Sequence, residues 1–349
     1  MGGGMMRVAF IGVSHWHAPM YYTPAARLAG VNIVAVSDPD AAIVALSDPD
    51  PTIVSRAGRE LEAKPFADYR QLIGETRPDL VFAFGRHCDM PGIASALIDE
   101  GIPFLLEKPG GLSHPDVSAI RDRAKAKGVY AGTGFNFRVS DLYKKIRAVI
   151  GDDPVTHASF RYIAGGPYRY RESNCAWMLD PKLSGGGSTI NLSIHFMDMF
   201  RTFTGCRPTE VASLMGNFTW GLPIEDYSSV ILRGPNCACT IETGYTYPGK
   251  LGVFDMRFSI RTSRHYLIVR SDDCLEVHRT CDAHVETLST PVSNAFWYPV
   301  FVTETIDRFA KGLPPVADLD SLAEAMRVVD AAYASSRSAG SAVRLDDRP

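Results

Sequence analysis

No apolar run in the 349 residues approaches the roughly 20 needed to cross a bilayer, and the start, MGGGMMR, lacks the charged region, apolar core and cleavage site of a secretory signal. The expected compartment is therefore the cytoplasm, and no membrane partner is expected. There is no long run of Lys or Arg, and the formal net charge is −3, so a nucleic-acid surface is not expected either. The seven cysteines are odd in number and contain no CxxC pair, which argues against a disulfide framework and for reduced thiols. Cys237 and Cys239 alternate and should share one strand face as small buried hydrophobes. Solenoid-spaced repeats and low-complexity linkers are missing too. What remains is 46% hydrophobic and 21% charged residues, a globular balance whose length suits two domains and whose charge favours a small-molecule partner.

Glycine is short in one telling place. The first strand, RVAFIG, runs into IGVSHWHAPM and then a helical stretch that ends on Gly30. A strand, turn and helix of this kind offers unpaired N–H groups and a positive helix end to a pyrophosphate, and usually carries three glycines. Here only Gly12 is present, with Ser14 and His17 in the other two places. The expectation is that Gly12 and the backbone around Ser14 and His15 cradle the pyrophosphate, that His15 touches cofactor or substrate, and that His17 is a packing residue. Two histidines at i and i+2 diverge by about 200° on a helix, and no third ligand lies nearby, so no metal is assigned.

The pattern from about Arg7 to Phe137 alternates short β-branched runs with helical stretches, which predicts βαβ units on a parallel sheet. VNIVAVSD closes on Asp38, where a carboxylate accepts ribose hydroxyls and repels a 2′-phosphate, pointing to NAD over NADP; the alternative is a turn residue before Pro39. SDPD recurs at Ser47 to Asp50, where Asp50 and Pro51 open a helix over TIVSRAGRELEA. Beyond about Arg138 a helix, DLYKKIRAVI, leads into seven strand-like runs from HASFRYIAG to CLEVHRT, which suggest a broad, mostly antiparallel sheet with one face covered. One helical segment, GGSTINLSIHFMDMFRTFTG, interrupts it, and the C-terminal ADLDSLAEAMRVVDAAYASSRS reads as an amphipathic helix. The expected fold class is α/β. An N-terminal dinucleotide-binding domain over residues 5–131 is followed by a C-terminal α+β domain with a large open sheet over 132–316, and a helix over 317–338 packs back between them.

Two stretches carry chemistry. LLEKPG puts Glu107, Lys108 and Pro109 at the carboxyl end of a parallel strand, where open α/β sheets bind ligands. A lysine there can hydrogen-bond a substrate oxygen that gains or loses a proton, or can be a solvated loop residue. In GGGSTINLSIHFMD, a helix from Ser188 would set Asn191, His195 and Asp198 on one face, with the carboxylate fixing the tautomer of the histidine.

These stretches, in order with GFNFR and the AAYASS helix, closely resemble the family named after glucose–fructose oxidoreductase, inositol dehydrogenase and a rhizopine catabolism protein. The likeness spans nearly the whole chain and is most specific at Glu107-Lys108-Pro109 and at the triple glycine before the His-bearing helix. It implies a Rossmann domain, an NAD(P) cofactor, and hydride transfer at a hydroxyl or keto carbon of a sugar or cyclitol. By the same resemblance Lys108 and His195 are catalytic and flank the reacting carbon, with Glu107, Lys108 and Pro109 beside the nicotinamide. Asn136, Arg138 and Asn174 would contact substrate, and Trp177 would stack on a sugar face unless it serves core packing. Tyr168 to Arg171 could line the pocket. Three departures stand out. Asn191 replaces the usual Asp, and an amide can only hold a substrate hydroxyl; the family's histidine falls near Asp89, with His87 two residues off; and the glycine loop is degenerate. The first and the last motivate an alternative, a sugar- or cofactor-binding sensor with weak chemistry. The uncovered sheet face predicts a homodimer or homotetramer.

Overall fold

A computed structural model of the protein describes residues 5–38, 57–58, 61–249 and 253–345. The first sheet is parallel throughout, in the order β3-β2-β1-β4-β5-β6. Its strands are β1 (Met6–Ile11), β2 (Val31–Ser37), β3 (Lys64–Phe66), β4 (Leu80–Ala83), β5 (Phe104–Leu106) and β6 (Ala131–Thr133). β1 and β4 are neighbours although two other strands separate them in sequence. Their carboxyl ends therefore form the switch point at which open α/β sheets take ligands. The central strands are buried on both faces, as a run such as LVFA requires. Helices α1 (Ala18–Ala25), α2 (Tyr69–Thr76), α3 (Met90–Asp99) and α4 (His114–Lys127) connect them. β3, a short piece containing Pro65, has no counterpart in the pattern reading. The helix expected over 52–63 and the second SDPD copy lie almost wholly outside the described residues.

Helix α5 (Asp141–Ile150) leads to the second sheet, ordered β14-β13-β12-β11-β7-β10-β9-β8-β15. It consists of β7 (Val155–Gly165), β8 (Glu210–Gly216), β9 (Tyr227–Arg233), β10 (Ala238–Tyr247), β11 (Phe254–Thr262), β12 (His265–Arg270), β13 (Cys274–Arg279), β14 (Val285–Ser289) and β15 (Val343–Arg344). Only the central β7–β10 pair is parallel. The edge strands β14 and β15 are too short or too polar to register as period-2 runs in the sequence. One face carries Phe160, Ile241 and Phe258, buried against α6 (Ile194–Thr204). On the opposite face Arg161 joins Asp255 and Glu242 in ion pairs, and Ile231 and Leu214 are exposed. Cys237 and Cys239 are both buried free thiols.

Two further helices bind the halves together. α7 (Trp297–Ala310) has no counterpart in the pattern reading, and it packs on α1 through Tyr298, Phe301 and Val302. α8 (Leu319–Arg337) lies against α4 on one side and against β8 and α6 on the other.

Candidate active site

The turn after β1 fits only glycine at its first position. Gly12 has φ +76°, and a Cβ there would stand 2.4 Å from the Phe84 carbonyl oxygen, so the bare backbone is what lets β1 lie close against the end of β4. From this turn a cavity of about 540 Å³ runs to the second sheet, within the ordinary range for a small-molecule site. Val13 to His17, Lys108, Asn136, Asn174, Asn191 and His195 all line it, together with Arg169 and Tyr170.

Lys108 is buried in its wall. The ammonium donates to both the main-chain oxygen of Asn191 (2.9 Å) and its Oδ1 (2.5 Å). Asn191 in turn donates from Nδ2 to the hydroxyls of Tyr170 (2.7 Å) and Tyr245 (2.8 Å). This is a correction to the sequence reading: the amide of Asn191 is spent on holding Lys108 and two tyrosines, not on a substrate hydroxyl. The backbone there forms a π-helical turn, Thr189–Ser193, that precedes α6, and such turns recur at functional sites. The triple glycine before it is steric. A Cβ on Gly187 would stand 2.0 Å from the Glu225 carbonyl, while the Glu225 carboxylate caps the amides of Gly187 and Thr189.

Burial pushes Lys108 down to about 8, against the pull of Glu107 and with the help of Arg169. Glu107 is buried behind it, and burial raises its pKa although Lys108 opposes the rise. Its two oxygens meet the Nδ1 of His17 (3.1 Å) and the hydroxyl of Tyr21 (2.8 Å). His17 is therefore not a packing residue, as its position in the helix-opening turn implied, but a ring anchored on the acid beside Lys108. Glu107 itself belongs to this network and is not among the residues that line the cavity. The imidazoles of His15, His17 and His195 are all held well below their ordinary pKa, chiefly by burial, and for His17 and His195 next by the Lys108 charge, so they are neutral at pH 7.

Asp198 lies on α6 with His195, yet it serves Arg138. The guanidinium makes a two-pronged pair with its carboxylate at 2.8 and 2.5 Å and also donates to the Val316 carbonyl. Arg138 does not line the cavity, which corrects its assignment as a substrate ligand, and Asp198 does not orient His195. Trp177 needs the same correction. Its indole is buried with ring centroids 5.8 Å from His15 and 5.0 Å from His87, outside the cavity lining. His87 hydrogen-bonds the Ser184 carbonyl through Nδ1 (2.6 Å), and burial pushes its pKa down to about 3. Asn136 is buried at the wall and hydrogen-bonded to Tyr298, and Asn174 lines the cavity with φ +57°. Pro109 follows Lys108 through a cis peptide.

The glycine-poor turn holds itself. The amides of Gly12 and Val13 donate to the Ser37 carbonyl, that of Ser14 to Asp38 Oδ2 (2.7 Å), that of His15 to the Gly12 carbonyl and that of His17 to the His15 ring. The expected backbone cradle at Gly12, Ser14 and His15 is thus engaged within the protein, and Asp38 ties β2 to the turn rather than presenting both oxygens to a ribose. For a dinucleotide the turn still offers the side chains of Ser14, His15 and Trp16 along the cavity, and an open run to Lys108. These features fit its nicotinamide end. No group of three or more His, Cys, Asp or Glu side chains gathers in metal-binding geometry among the described residues.

The sequence and fold match known proteins in two stretches. Residues 6–135 match a family described as an oxidoreductase family with an NAD-binding Rossmann fold, and residues 149–268 match the GFO/IDH/MocA C-terminal domain. No curated protein matches. Among solved structures, an oxidoreductase from Agrobacterium radiobacter in complex with NAD+, L-tartaric acid and magnesium superposes with a TM-score of 0.83 at 16% identity, covering 97% of this chain and 98% of its own. An inositol dehydrogenase homolog from Azotobacter vinelandii, complexed with NAD+, gives 0.82 at 16% identity over 99% and 100% of the two chains. Levoglucosan dehydrogenase, in complex with NADH and levoglucosan, gives 0.80 at 17% identity over 98% and 100%. With a model of the family matching each half of it, the chain belongs to the GFO/IDH/MocA family of oxidoreductases, with the NAD-binding Rossmann fold of that family.

Proposed function

We propose that the protein is an NAD-dependent dehydrogenase or reductase that acts at a hydroxyl or keto carbon of a polyhydroxylated compound. The observation that carries this reading is Lys108, a buried amine with its pKa lowered to about 8, fixed by Asn191 in the wall of a cavity that opens onto the first turn. A bound nicotinamide supplies the hydride acceptor in oxidation and the hydride donor in reduction. The chain supplies the proton: neutral Lys108 takes it from the substrate hydroxyl in oxidation, and the ammonium returns it in reduction. His195 and His17, both neutral in the same wall, accept hydrogen bonds from substrate hydroxyls and hold the reacting oxygen against Nζ. Ser14, His15, Lys108 and Pro109 border the cofactor. NAD is favoured over NADP by the Asp38 carboxylate at the end of β2, although one oxygen is committed to Ser14.

The test is NADH formation with a panel of sugars, inositols and sugar acids, by wild type and Lys108→Ala. We expect turnover with part of the panel and a loss of at least about a hundredfold in kcat in the variant, the usual scale for a positioned acid–base group. Undiminished kcat in Lys108→Ala rejects the assignment. A wild type that binds but never turns over would favour the sensor.

A further inference from the structure

The cavity is unbalanced in charge. Its described lining contains two cationic side chains, Lys108 and Arg169, and no Asp or Glu. Lys108 has Glu107 behind it. Arg169 has no carboxylate partner among the described residues. Its guanidinium donates to the Gly165 carbonyl and, at 3.0 Å, to the Tyr170 hydroxyl, and lies 4.9 Å and 5.2 Å from the centres of the Tyr170 and Tyr245 rings. Tyr170, Tyr245 and, more weakly, Tyr162 hold its charge against burial. An arginine has five N–H donors, so three remain for a ligand. The group is close enough to Lys108 and His17 to depress the pKa of each, and it connects to Lys108 through the Tyr170 hydroxyl and Asn191.

A half-buried guanidinium held by aromatic faces, with part of its donor fork unused, is suited to a planar anion that accepts two parallel hydrogen bonds. We propose that Arg169 anchors a carboxylate of the substrate, so that the compound oxidised or reduced here is a polyhydroxylated acid and not a neutral sugar. The proposal rests on reading this cavity as the substrate site. Arg169 stands just beyond β7, in the part of the wall that belongs to the second sheet, and its hydrogen-bonded path through Tyr170 and Asn191 leads to Lys108, the proton-transferring group. The anion it meets is read for that reason as the substrate's, and the NADH titration separates it from the dinucleotide's diphosphate. A carboxylate on Arg169 also leaves the other end of a short polyol chain to reach Lys108 and His195.

The experiment compares matched pairs, a hexuronic acid with its hexose and an aldonic acid with its alditol, in the full-length wild type and in Arg169→Gln and Arg169→Lys. The readouts are kcat, KM, NADH affinity by fluorescence titration and ligand-induced shift in Tm. We expect the acid-to-neutral ratio of kcat/KM to fall by about 10–100-fold in Arg169→Gln, the scale of one charged hydrogen-bonded contact. The fall should lie in KM, with part of it restored by Arg169→Lys. The acids should raise the Tm of wild type and not that of Arg169→Gln. Equal KM changes for acid and neutral members, or a fall in NADH affinity as large as the fall for the acids, overturns the proposal. The Tm shift is independent of turnover: absence of turnover with every compound would reject the dehydrogenase reading, while the acid-specific shift and its loss in Arg169→Gln would still decide this one.

Discussion

At the residue scale the unusual element is the amide that holds the lysine. A carboxylate at position 191 would stabilise the Lys108 ammonium; the Asn191 amide accepts its hydrogen bond without adding charge, and burial is left to lower the pKa to about 8. The sign follows directly. Oxidation uses the neutral amine, so its kcat/KM rises as pH passes upward through about 8, and reduction uses the ammonium, so its rate falls over the same interval. Asn191→Asp puts a negative charge beside Nζ and should move both inflections to higher pH. Measured pH–rate profiles of the two directions check this, and an inflection that stays fixed in Asn191→Asp would show that another group titrates. The places of Lys108 and His195 in the cavity wall were legible in the sequence because a strand end and a helix start project their side chains toward the crevice whatever the distant contacts are, and Asn136 and Asn174, which the family resemblance supplied, line the same cavity. Arg138 and Trp177 were not, because what they do depends on partners far along the chain: Arg138 finds Asp198 sixty positions on, and Trp177 meets His15 from the other end of the molecule.

At the scale of elements the same logic separates what was readable from what was missed. β1, β2, β4 and β5 announce themselves as short apolar runs, and α8 by its 3.6-residue stripe. α7 does not. It has no side-chain cap, no acidic residue in its first turn and a start, WYPVFV, that reads as strand; it becomes a helix because α1 and the end of β1 need Tyr298, Phe301 and Val302 to cover them. The turn after β1 shows how an element survives the loss of two glycines. Ser37, Asp38 and the His15 ring accept the amides that glycine-rich turns leave open. Helix α6 is fastened to the segment after β6 by Asp198, which has its carboxylate almost fully buried under Arg138. Asp198→Ala leaves that guanidinium unpaired, and removing one partner of a buried pair costs about 3–5 kcal/mol. Urea denaturation should register the loss, and a variant within about 1 kcal/mol of wild type would mean that solvent reaches Arg138 freely.

At the scale of the molecule, the seam between the two sheets is built from neutral histidines. His15 and His17 come from the turn after β1, His87 from the end of β4 and His195 from α6, and burial holds all four below the ordinary imidazole range, His87 at about 3. In the unfolded chain each would titrate near 6.5. Below that pH the unfolded state binds protons that the folded state refuses, so the stability these groups contribute is complete above about 6.5 and is lost as pH falls toward their folded values. The slope is about 1.4 kcal/mol per pH unit for each histidine. Glu107, with its pKa raised by burial, works in the opposite sense, but as one carboxyl group against four rings. We therefore expect the urea midpoint to fall steeply between pH 7 and pH 5. Because the four rings join the first sheet to the second, the acid-induced loss should begin at the seam, with Trp177 fluorescence changing before far-ultraviolet circular dichroism. A midpoint that does not move between pH 7 and pH 5 would mean that the imidazoles titrate normally, and that water enters the seam.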